Sequence, residues 1–185
     1  GFEFLEGIPG TLGGALRMNA GAMGWETFDL VDWVSFLLPD GSIREIPGTD
    51  LEVGYRYCRE AYDGIALRAK LKSEGRSDHR AIRKVIDKLA SQRRATQPRE
   101  ASAGCIFRNP DDESAGLLID QAGLKGEREG AAVVSDLHAN FIINEGGASA
   151  EEVISLIKRV RERVKESKGM MLEPEVDILG HSWEE

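Results

Sequence analysis

Three kinds of side chain in this sequence suit proton transfer or the binding of an anionic substrate. Cys105 carries a thiol, whose reference pKa of about 8.5 makes it a stronger acid than an alcohol. Arg56 lies between two tyrosines and can offer paired N–H groups to a carboxylate. Glu173 and Glu175 alternate along the chain, so in a strand they point to the same face. The ordinary alternatives stay open at this point: a buried inert thiol, a surface arginine and solvated carboxylates.

Two further segments are candidates for contact with a ligand. Residues 7–15 contain four glycines and a proline, which suits a tight turn whose backbone N–H groups approach a phosphate or a cofactor edge. Their spacing matches neither the P-loop nor the G-x-G-x-x-G pattern, so a plain turn is the alternative. His138 and Asn140 flank Ala139 ahead of an apolar run, where a histidine is more often structural.

The elements that must position the first of these residues are β-strands. Residues 28–38 are rich in β-branched and aromatic side chains, and the turn at residues 39–42 predicts a hairpin with residues 43–46. Residues 65–71 alternate apolar and other side chains, which predicts a half-buried strand closing this sheet. The composition then changes, and we place a domain junction around Gly75.

The second part of the chain alternates helices and strands. Ser149 and Glu152 form an S-x-x-E capping box, and an apolar stripe follows until Gly169, so this last helix is the clearest in the sequence. The order of elements predicts an α+β fold with helices packed on a mixed sheet. The predicted helices cover residues 77–95, 113–122 and 149–169, and the predicted strands cover residues 104–108, 131–134, 140–144 and 172–179.

Composition narrows the classes of partner. The 185 residues include 32 acidic and 24 basic side chains, a formal net charge of -8, so we expect no nucleic-acid partner. No apolar run approaches the roughly 20 residues that cross a bilayer, and the first residues lack the features of a signal peptide. We expect a soluble, cytoplasmic monomer without a membrane partner or a metal ion, in which the two cysteines need no disulfide.

Six ordered blocks together resemble the UDP-N-acetylenolpyruvoylglucosamine reductase family, in its shorter branch, from the first residue to about Gly180. The resemblance implies part of a flavin-binding domain of the FAD-linked oxidase type in residues 1–75, followed by an α+β substrate-binding domain in residues 76–185. It also implies that the amino-terminal FAD-binding region of the family is missing. The blocks are residues 7–15 with 19–21, residues 54–57, residues 102–110, residues 118–126, residues 138–141 and residues 172–176.

The resemblance implies a reaction and roles within it. In this family FAD is reduced by NADPH and then reduces UDP-N-acetylglucosamine enolpyruvate, and the cofactor carries the redox chemistry. Arg56 and Glu175 match the positions at the enolpyruvyl carboxylate, where a fixed guanidinium stabilises negative charge. Cys105 stands where the better-known members carry a serine that donates the final proton, a task that a thiol can perform.

The same resemblance implies the residues that contact ligands. The positions expected to face FAD are Gly7, Ile8, Pro9, Gly10, Thr11, Gly13, Gly14, Ala15, Asn19 and Gly21. The positions expected around the sugar nucleotide are Tyr55, Asn109, Lys125 and His138.

Two other functions remain as alternatives. The first is a shortened fragment that binds the UDP-sugar without flavin and without turnover. The second is a related FAD-linked oxidase, which would share the first domain but would not predict the blocks around Cys105, Asn109 and Glu175.

Overall fold

Two units, Gly1–Arg93 and Arg94–Glu185, make up the chain in the computed structural model, which describes residues 1–73, 75–180 and 183. We call them unit 1 and unit 2. Arg93, the last residue of unit 1, contacts the beginning of that unit, because its Nη2 donates to the carbonyl of Phe4 at 3.2 Å. The assignment of residues 1–75 and 76–185 to a flavin domain and a substrate domain stays a prediction.

Unit 1 is built mainly from short strands. Its helices are α1 (Leu12–Arg17), α2 (Arg59–Asp63) and α3 (His79–Thr96), the last of which ends just beyond the division. Its strands are β1 (Gly21–Ala22), β2 (Trp25–Glu26), β3 (Val31–Leu37), β4 (Ile43–Pro47), β5 (Val53–Gly54), β6 (Tyr57–Cys58) and β7 (Ile65–Leu71). Short 3-10 helices occupy Glu3–Leu5, Thr27–Leu30 and Gly48–Asp50.

The predicted hairpin of unit 1 is confirmed. β3 pairs antiparallel with β4 across the turn and with β7 on its other side, giving the order β4-β3-β7. The first residues of the predicted strand form the 3-10 helix Thr27–Leu30 instead, where Glu26 and Asp29 close a capping box. Val34 and Phe36 are fully buried on the face of β3 that packs against the core of this unit.

The bounds predicted for β7 are right, but the predicted buried face, which held Ile65, Leu67, Ala69 and Leu71, is right only at Ala69. Ile65 and Leu67 are 62% and 46% exposed, whereas Ala66 and Ala69 pack against the core. The register with β3 shifts between Ser35 and Phe36, so an extra residue of β7 interrupts the alternation. A strict period of two therefore cannot assign the faces of this strand.

Unit 2 packs helices against one antiparallel sheet. Its helices are α4 (Ala115–Gln121) and α5 (Ala150–Lys168), and its strands are β8 (Ser102–Cys105), β9 (Arg128–Glu129), β10 (Ala132–Val134) and β11 (Phe141–Asn144). The sheet has the order β8-β11-β10-β9. Every strand pair in the described residues is antiparallel, so the fold is α+β as predicted, whereas the predicted mixed sheet is wrong.

The predicted ends of α5 are confirmed. The Ser149 hydroxyl accepts from the backbone N–H of Glu152, the Glu152 carboxylate accepts in return from the N–H of Ser149, and Gly169 ends the helix with a φ of +71°. The same carboxylate reaches the turn between β9 and β10, where it accepts from Ala131 N–H at 3.4 Å and fills the space that a Cβ at Gly130 would need.

The core of unit 2 lies between its sheet and its helices. Ile157, Val160 and Val164 of α5 are buried there, with Ile119 of α4 and Leu124 just after it. At roughly 25 cal/mol per Å² of apolar surface buried, side chains of this size each contribute about 1.5–3 kcal/mol. This packing supports the sheet whose strand β8 ends at Cys105.

The predicted terminal strand at residues 172–179 is much shorter than expected. Among the described residues of that range, only Pro174 forms a β-bridge, with Phe107. Pro174 lacks an N–H group, and the backbone bonds beside it are Arg108 N–H to Glu173 at 2.9 Å and Glu175 N–H to Ile106 at 2.7 Å. None of the helices in the described part of the chain combines the length and apolarity that a bilayer span requires.

Candidate functional site

In unit 1, the glycine-rich segment, residues 7–15, forms an open turn that leads into α1. Gly7 and Gly10 have φ values of +77° and +138°, which residues with a Cβ rarely adopt. Thr11 caps α1 by accepting the N–H of Gly14 at 3.2 Å. A Cβ at Gly10 would meet no atom within 4 Å, so the backbone there is open to a ligand, whereas one at Gly7 would lie 3.0 Å from Cδ of Arg93.

Asn19 and Gly21, two of the residues expected to face FAD, have structural roles in unit 1. Asn19 is fully buried with a φ of +39°; its Nδ2 donates to Glu26 Oε2 at 2.6 Å and to the carbonyl of Gly54 at 3.1 Å. Its Oδ1 accepts from the N–H of Phe28 at 3.2 Å. Gly21 has no room for a Cβ, which would lie 2.7 Å from the carbonyl oxygen of Trp25.

Arg56 lies at the tip of a hairpin. β5 and β6 pair antiparallel, and Tyr55 and Arg56 form the turn between them. Arg56 has a φ of +55°, a conformation that costs an ordinary residue roughly 1–2 kcal/mol. Its guanidinium lies 4.7 Å from the centre of the Tyr55 ring, and Tyr55 is 43% exposed. Through the carbonyl of Gly54, Asn19 ties this hairpin to the segment after α1.

Cys105 lies at the end of β8 in unit 2, opposite Phe141 of β11. It follows Gly104, whose φ is +83°, and it is half-buried. Cys58 of unit 1 differs, because it is fully buried and burial raises the pKa of its thiol above the usual value. Cys58 is therefore an ordinary buried thiol, and Cys105 is the more accessible of the two.

Glu175 lies beside the segment that follows Cys105. Its N–H donates to the carbonyl of Ile106 at 2.7 Å, and its side chain is half-buried, whereas Glu173 is exposed. The structure therefore brings the backbones of Cys105 and Glu175 onto adjoining segments of one unit. The sequence motif contains both residues but does not show that their segments are neighbours. The pairing of β8 with β11 and the β-bridge at Pro174 bring these segments together.

His138 precedes β11, and its surroundings favour the neutral form of its ring. Its ring packs edge-on against Phe141 at 4.9 Å, and its Nδ1 accepts from the N–H of Asn140 at 3.3 Å. Burial is the main cause that lowers the pKa of His138 below its ordinary value, and the charge of Lys125 acts in the same direction. With Nδ1 as acceptor, the neutral ring carries its proton on Nε2 and can donate from there.

Two other residues expected around the sugar nucleotide lie near α4. Asn109 accepts from the N–H of Ala115 through Oδ1 at 3.0 Å, at the start of the helix. Lys125 pairs with Asp120 through Nζ at 2.7 Å, and it is half-buried. Gly116 of α4 faces His138, because a Cβ there would lie 3.0 Å from Cε1 of the ring.

Asn140 of unit 2 was a candidate beside His138, but neither its role nor its partner was predicted from the sequence. It is 3% exposed, and its side-chain amide exchanges two hydrogen bonds with the backbone of Phe107, at 2.9 and 2.8 Å. The signal in the sequence was its place between His138 and an apolar strand, which does not reveal a partner more than 30 residues earlier.

Comparison with known proteins gives a consistent result. Residues 97–179 match the family model for the C-terminal domain of UDP-N-acetylenolpyruvoylglucosamine reductase. Proteins of that name from Alkalilimnicola ehrlichii and Clostridioides difficile are 46% and 45% identical to the chain over 183 residues each. These alignments cover 98% and 97% of the chain but 61% and 60% of the relatives, so the chain spans about three-fifths of their length.

A solved structure is similar over nearly the whole chain. The crystal structure of UDP-N-acetylenolpyruvylglucosamine reductase from Thermus caldophilus matches with a TM-score of 0.83 and 39% sequence identity. The match covers 96% of the chain and 63% of that protein.

Proposed function

Because the chain belongs, over the residues it spans, to the UDP-N-acetylenolpyruvoylglucosamine reductase family, we propose that it carries the substrate-facing part of such a reductase. The reaction is the NADPH-dependent, FAD-mediated reduction of UDP-N-acetylglucosamine enolpyruvate to UDP-N-acetylmuramate, a step of peptidoglycan precursor synthesis in the cytoplasm. The observation that carries the proposal is the structural match at 39% identity over 96% of the chain.

The residues of the glycine-rich segment fit a flavin. Gly10 and Gly13 leave the backbone uncovered, and a Cβ at Gly10 would enter open space rather than a neighbour. FAD, when bound, would accept hydride from NADPH and deliver it to the enolpyruvyl double bond. The chain's part is to offer backbone N–H groups and a flat, unhindered surface. Asn19 and Gly21 would support this surface from inside, since Asn19 is fully buried and Gly21 adjoins Trp25.

Arg56 is the proposed partner of the enolpyruvyl carboxylate, and Glu175 is a second proposed contact with the substrate. The guanidinium of Arg56, held at the tip of the β5–β6 hairpin, would bind the enolpyruvyl carboxylate and stabilise the negative charge that develops on it. By the family resemblance, Glu175 of unit 2 would contact the substrate as a hydrogen-bonding partner. The αL conformation of Arg56 supports the role, because strained backbone is retained where a side chain must be aimed.

Cys105 is the proposed proton donor. Hydride addition at the β-carbon leaves electron density at the α-carbon, and a nearby S–H group can deliver the proton that completes reduction. The half-buried position of Cys105 at the end of β8 supports this role, since the next residue, Ile106, accepts a backbone hydrogen bond from Glu175. After transfer the thiolate regains a proton from solvent.

The remaining polar residues would hold the sugar nucleotide. Tyr55 is exposed beside Arg56. Lys125, which pairs with Asp120 in the free chain, would pair with the phosphates of the ligand instead. His138 would donate from Nε2 as a neutral ring, as its depressed pKa requires. Asn109 has one acceptor engaged by Ala115 and would present its amide group to the ligand.

The test follows the flavin spectrum of the purified chain. The chain is titrated with FAD, then NADPH is added, and then the enolpyruvyl UDP-sugar, while flavin absorbance is recorded. Bleaching by NADPH and recovery on adding the sugar are the expected results. Cys105→Ser should keep recovery, whereas Cys105→Ala should bleach normally and recover at least about tenfold more slowly, because only the protonation step is impaired. Wild-type recovery in Cys105→Ala would remove Cys105 from the mechanism.

One observation favours a second function. The family model that matches residues 97–179 describes a C-terminal domain, so binding of the UDP-sugar by unit 2 alone is the second candidate function. This binding function predicts heat release on titration with the UDP-sugar and no flavin absorbance after incubation with FAD and desalting. Retained flavin together with NADPH-dependent bleaching would exclude it.

A further inference from the structure

Asn140 joins two segments of unit 2 that carry proposed catalytic residues. Its Oδ1 accepts from the N–H of Phe107 at 2.9 Å, and its Nδ2 donates to the carbonyl of the same residue at 2.8 Å. Its own carbonyl accepts from the N–H of Ile106 at 2.9 Å. With 3% of its surface exposed, Asn140 makes these bonds away from water, where each is costly to lose.

Phe107 needs such a partner because of how it faces Pro174. The bonds from Arg108 to Glu173 and from Glu175 to Ile106 flank the Phe107–Pro174 bridge, which is therefore a pair without mutual hydrogen bonds. In such a pair the N–H and the carbonyl of Phe107 point away from Pro174. Buried peptide groups require partners, and the amide of Asn140 supplies both.

The backbone changes its pairing at this place. Cys105 pairs with Phe141 of β11, whereas the carbonyl of Ile106, one residue later, accepts from Glu175 on the other side. Ile106 sends its N–H to Asn140 and its carbonyl to Glu175, so its two groups face opposite neighbours. A regular strand residue points both groups to one neighbour, so the hydrogen-bond pattern is irregular at Ile106, and Asn140 bonds to both Ile106 and Phe107 there.

We infer that Asn140 is a positioning residue, whose side-chain amide fixes Cys105 relative to Glu175. The inference rests on the proposed function in one respect, namely that these two side chains act on the same substrate. Asn140 itself touches neither the substrate nor the flavin in this role. It acts through the backbone of residues 105–108 and through Glu175, whose N–H is bound by Ile106.

The test exploits a variant that can regain the missing bond. In Asn140→Asp, a carboxylate still accepts from Phe107 but repels its carbonyl, whereas a protonated carboxyl can donate to that carbonyl again. Burial raises the pKa of such an aspartate above its unfolded value, so the protonated form is favoured as the pH falls. The variant is therefore impaired at high pH and repaired at low pH.

The first measurement is amide hydrogen exchange in the chain alone, followed by NMR. In Asn140→Asp near pH 7.5, the amides of Phe107 and Glu175 should exchange at least about tenfold faster than in the wild type, because one buried bond is worth about a factor of ten. Asn144→Asp is the matched control, at the end of the strand β11 that begins just after Asn140. The Oδ1 of Asn144 accepts from Gly146 and Ala148, which a carboxylate also does, so exchange at Phe107 should stay unchanged.

The second measurement separates positioning from folding. In the flavin assay, Asn140→Asp should bleach with NADPH at the wild-type rate and recover with the sugar about 30 to 100 times more slowly near pH 8. Near pH 5.5 recovery should return to within about threefold of the wild type at the same pH. The wild type is the reference at each pH, because the ionisable side chains near this segment, namely His138, Cys105, Glu173 and Glu175, are the same in both proteins. Asn140→Ser, which cannot titrate, should be slow at both pH values.

The outcomes are distinguishable from failure of the proposed function. If the wild type neither bleaches nor recovers, the proposed function of this chain fails, and the exchange measurement alone decides the role of Asn140. Unchanged exchange at Phe107 and Glu175 in Asn140→Asp overturns the inference. So does a recovery rate that follows only the folded fraction, or a rescue at low pH that Asn140→Ser shares. Asn140→Asp could also be unfolded near pH 8. In that case, a variant that folds near pH 5.5 and recovers there at the wild-type rate supports the inference. A variant that folds near pH 5.5 but recovers slowly overturns it.

Discussion

Three residues of unit 1, Asn19, Met23 and Arg56, adopt positive φ although none is glycine, whereas in the described part of unit 2 every positive φ belongs to a glycine. Two of the three, Asn19 and Arg56, are candidates for the site. In unit 2 the corresponding candidates, Cys105 and Glu175, lie on extended segments that a sheet and a β-bridge hold.

The difference shows two ways to fix a side chain. Unit 1 aims Arg56 by a strained turn, and the buried amide of Asn19 holds the adjoining carbonyl of Gly54. Unit 2 places Cys105 beside an apolar core that includes Ile106 and Ile157, both 1% exposed. Substitutions should therefore act through packing in unit 2 and through backbone strain in unit 1.

The largest expected effect lies in the core of unit 2. Ile157→Ala should lower the free energy of unfolding of this unit by about 3–4 kcal/mol, because it removes a fully buried side chain and leaves a cavity. Denaturant unfolding followed by far-ultraviolet circular dichroism measures it. Leu117→Ala, at a residue 46% exposed on α4, is the control and should change stability by less than about 0.5 kcal/mol. A similar loss in both variants would contradict the importance of packing.

The next effect tests the buried amide of unit 1. Asn19→Ala should cost about 2–3 kcal/mol, since it leaves the N–H of Phe28 and the carbonyl of Gly54 without their partner. Asn19→Gly loses the same bonds but tolerates a φ of +39°, so it should cost about 1 kcal/mol less than the alanine variant. Thermal and denaturant unfolding compare the two. Equal losses would show that strain at this position is negligible.

A smaller effect is expected between two variants of Arg56. Arg56→Gly should leave unit 1 about 0.5–1 kcal/mol more stable than Arg56→Ala, because both lose the contact with the Tyr55 ring, whereas only glycine relieves a strain of roughly 1–2 kcal/mol, less the entropy that it loses on folding. Both should abolish binding of the enolpyruvyl UDP-sugar to the same extent, measured by calorimetry. Equal stability of the two variants would make the comparison between the units invalid.

The smallest effect concerns pH and His138. Its pKa is lower in the folded protein than in the unfolded chain, so its contribution is fully present above its unfolded pKa of about 6.5 and is lost as the pH falls below it. The stability of the wild type should therefore fall relative to His138→Gln between about pH 7.5 and 5.5. Denaturant unfolding across that range measures the difference. A constant difference would mean that burial does not perturb this ring.

Local signals allowed part of the fold to be predicted. Ser149, Glu152 and Gly169 act within one helix, so their types suffice to place both of its ends. The turn between β3 and β4 is equally local. The exposed face of β7 was not predictable, because the shift beside Ser35 depends on how two distant strands meet.

The candidate site divides in the same way. Motif resemblance identified Cys105, Arg56 and Glu175 without any knowledge of their neighbours. It could not reveal that Asn140 bonds to Phe107 or that Asn19 bonds to Gly54. A hydrogen bond from a side-chain amide to a distant backbone group produces no periodic pattern in the sequence. Such partners depend on packing over long sequence distance.

The carboxylate of Glu152 couples the local opening of two segments of unit 2, the start of α5 and the β9–β10 turn. One group caps α5 at Ser149, accepts from Ala131 and occupies the space above Gly130, so the helix start and the β9–β10 turn share a single side chain. Neither can loosen without freeing a buried or capping bond of the other. The two should therefore open as one cooperative unit, with common protection factors and a common sensitivity to denaturant, even though a long stretch of chain separates them.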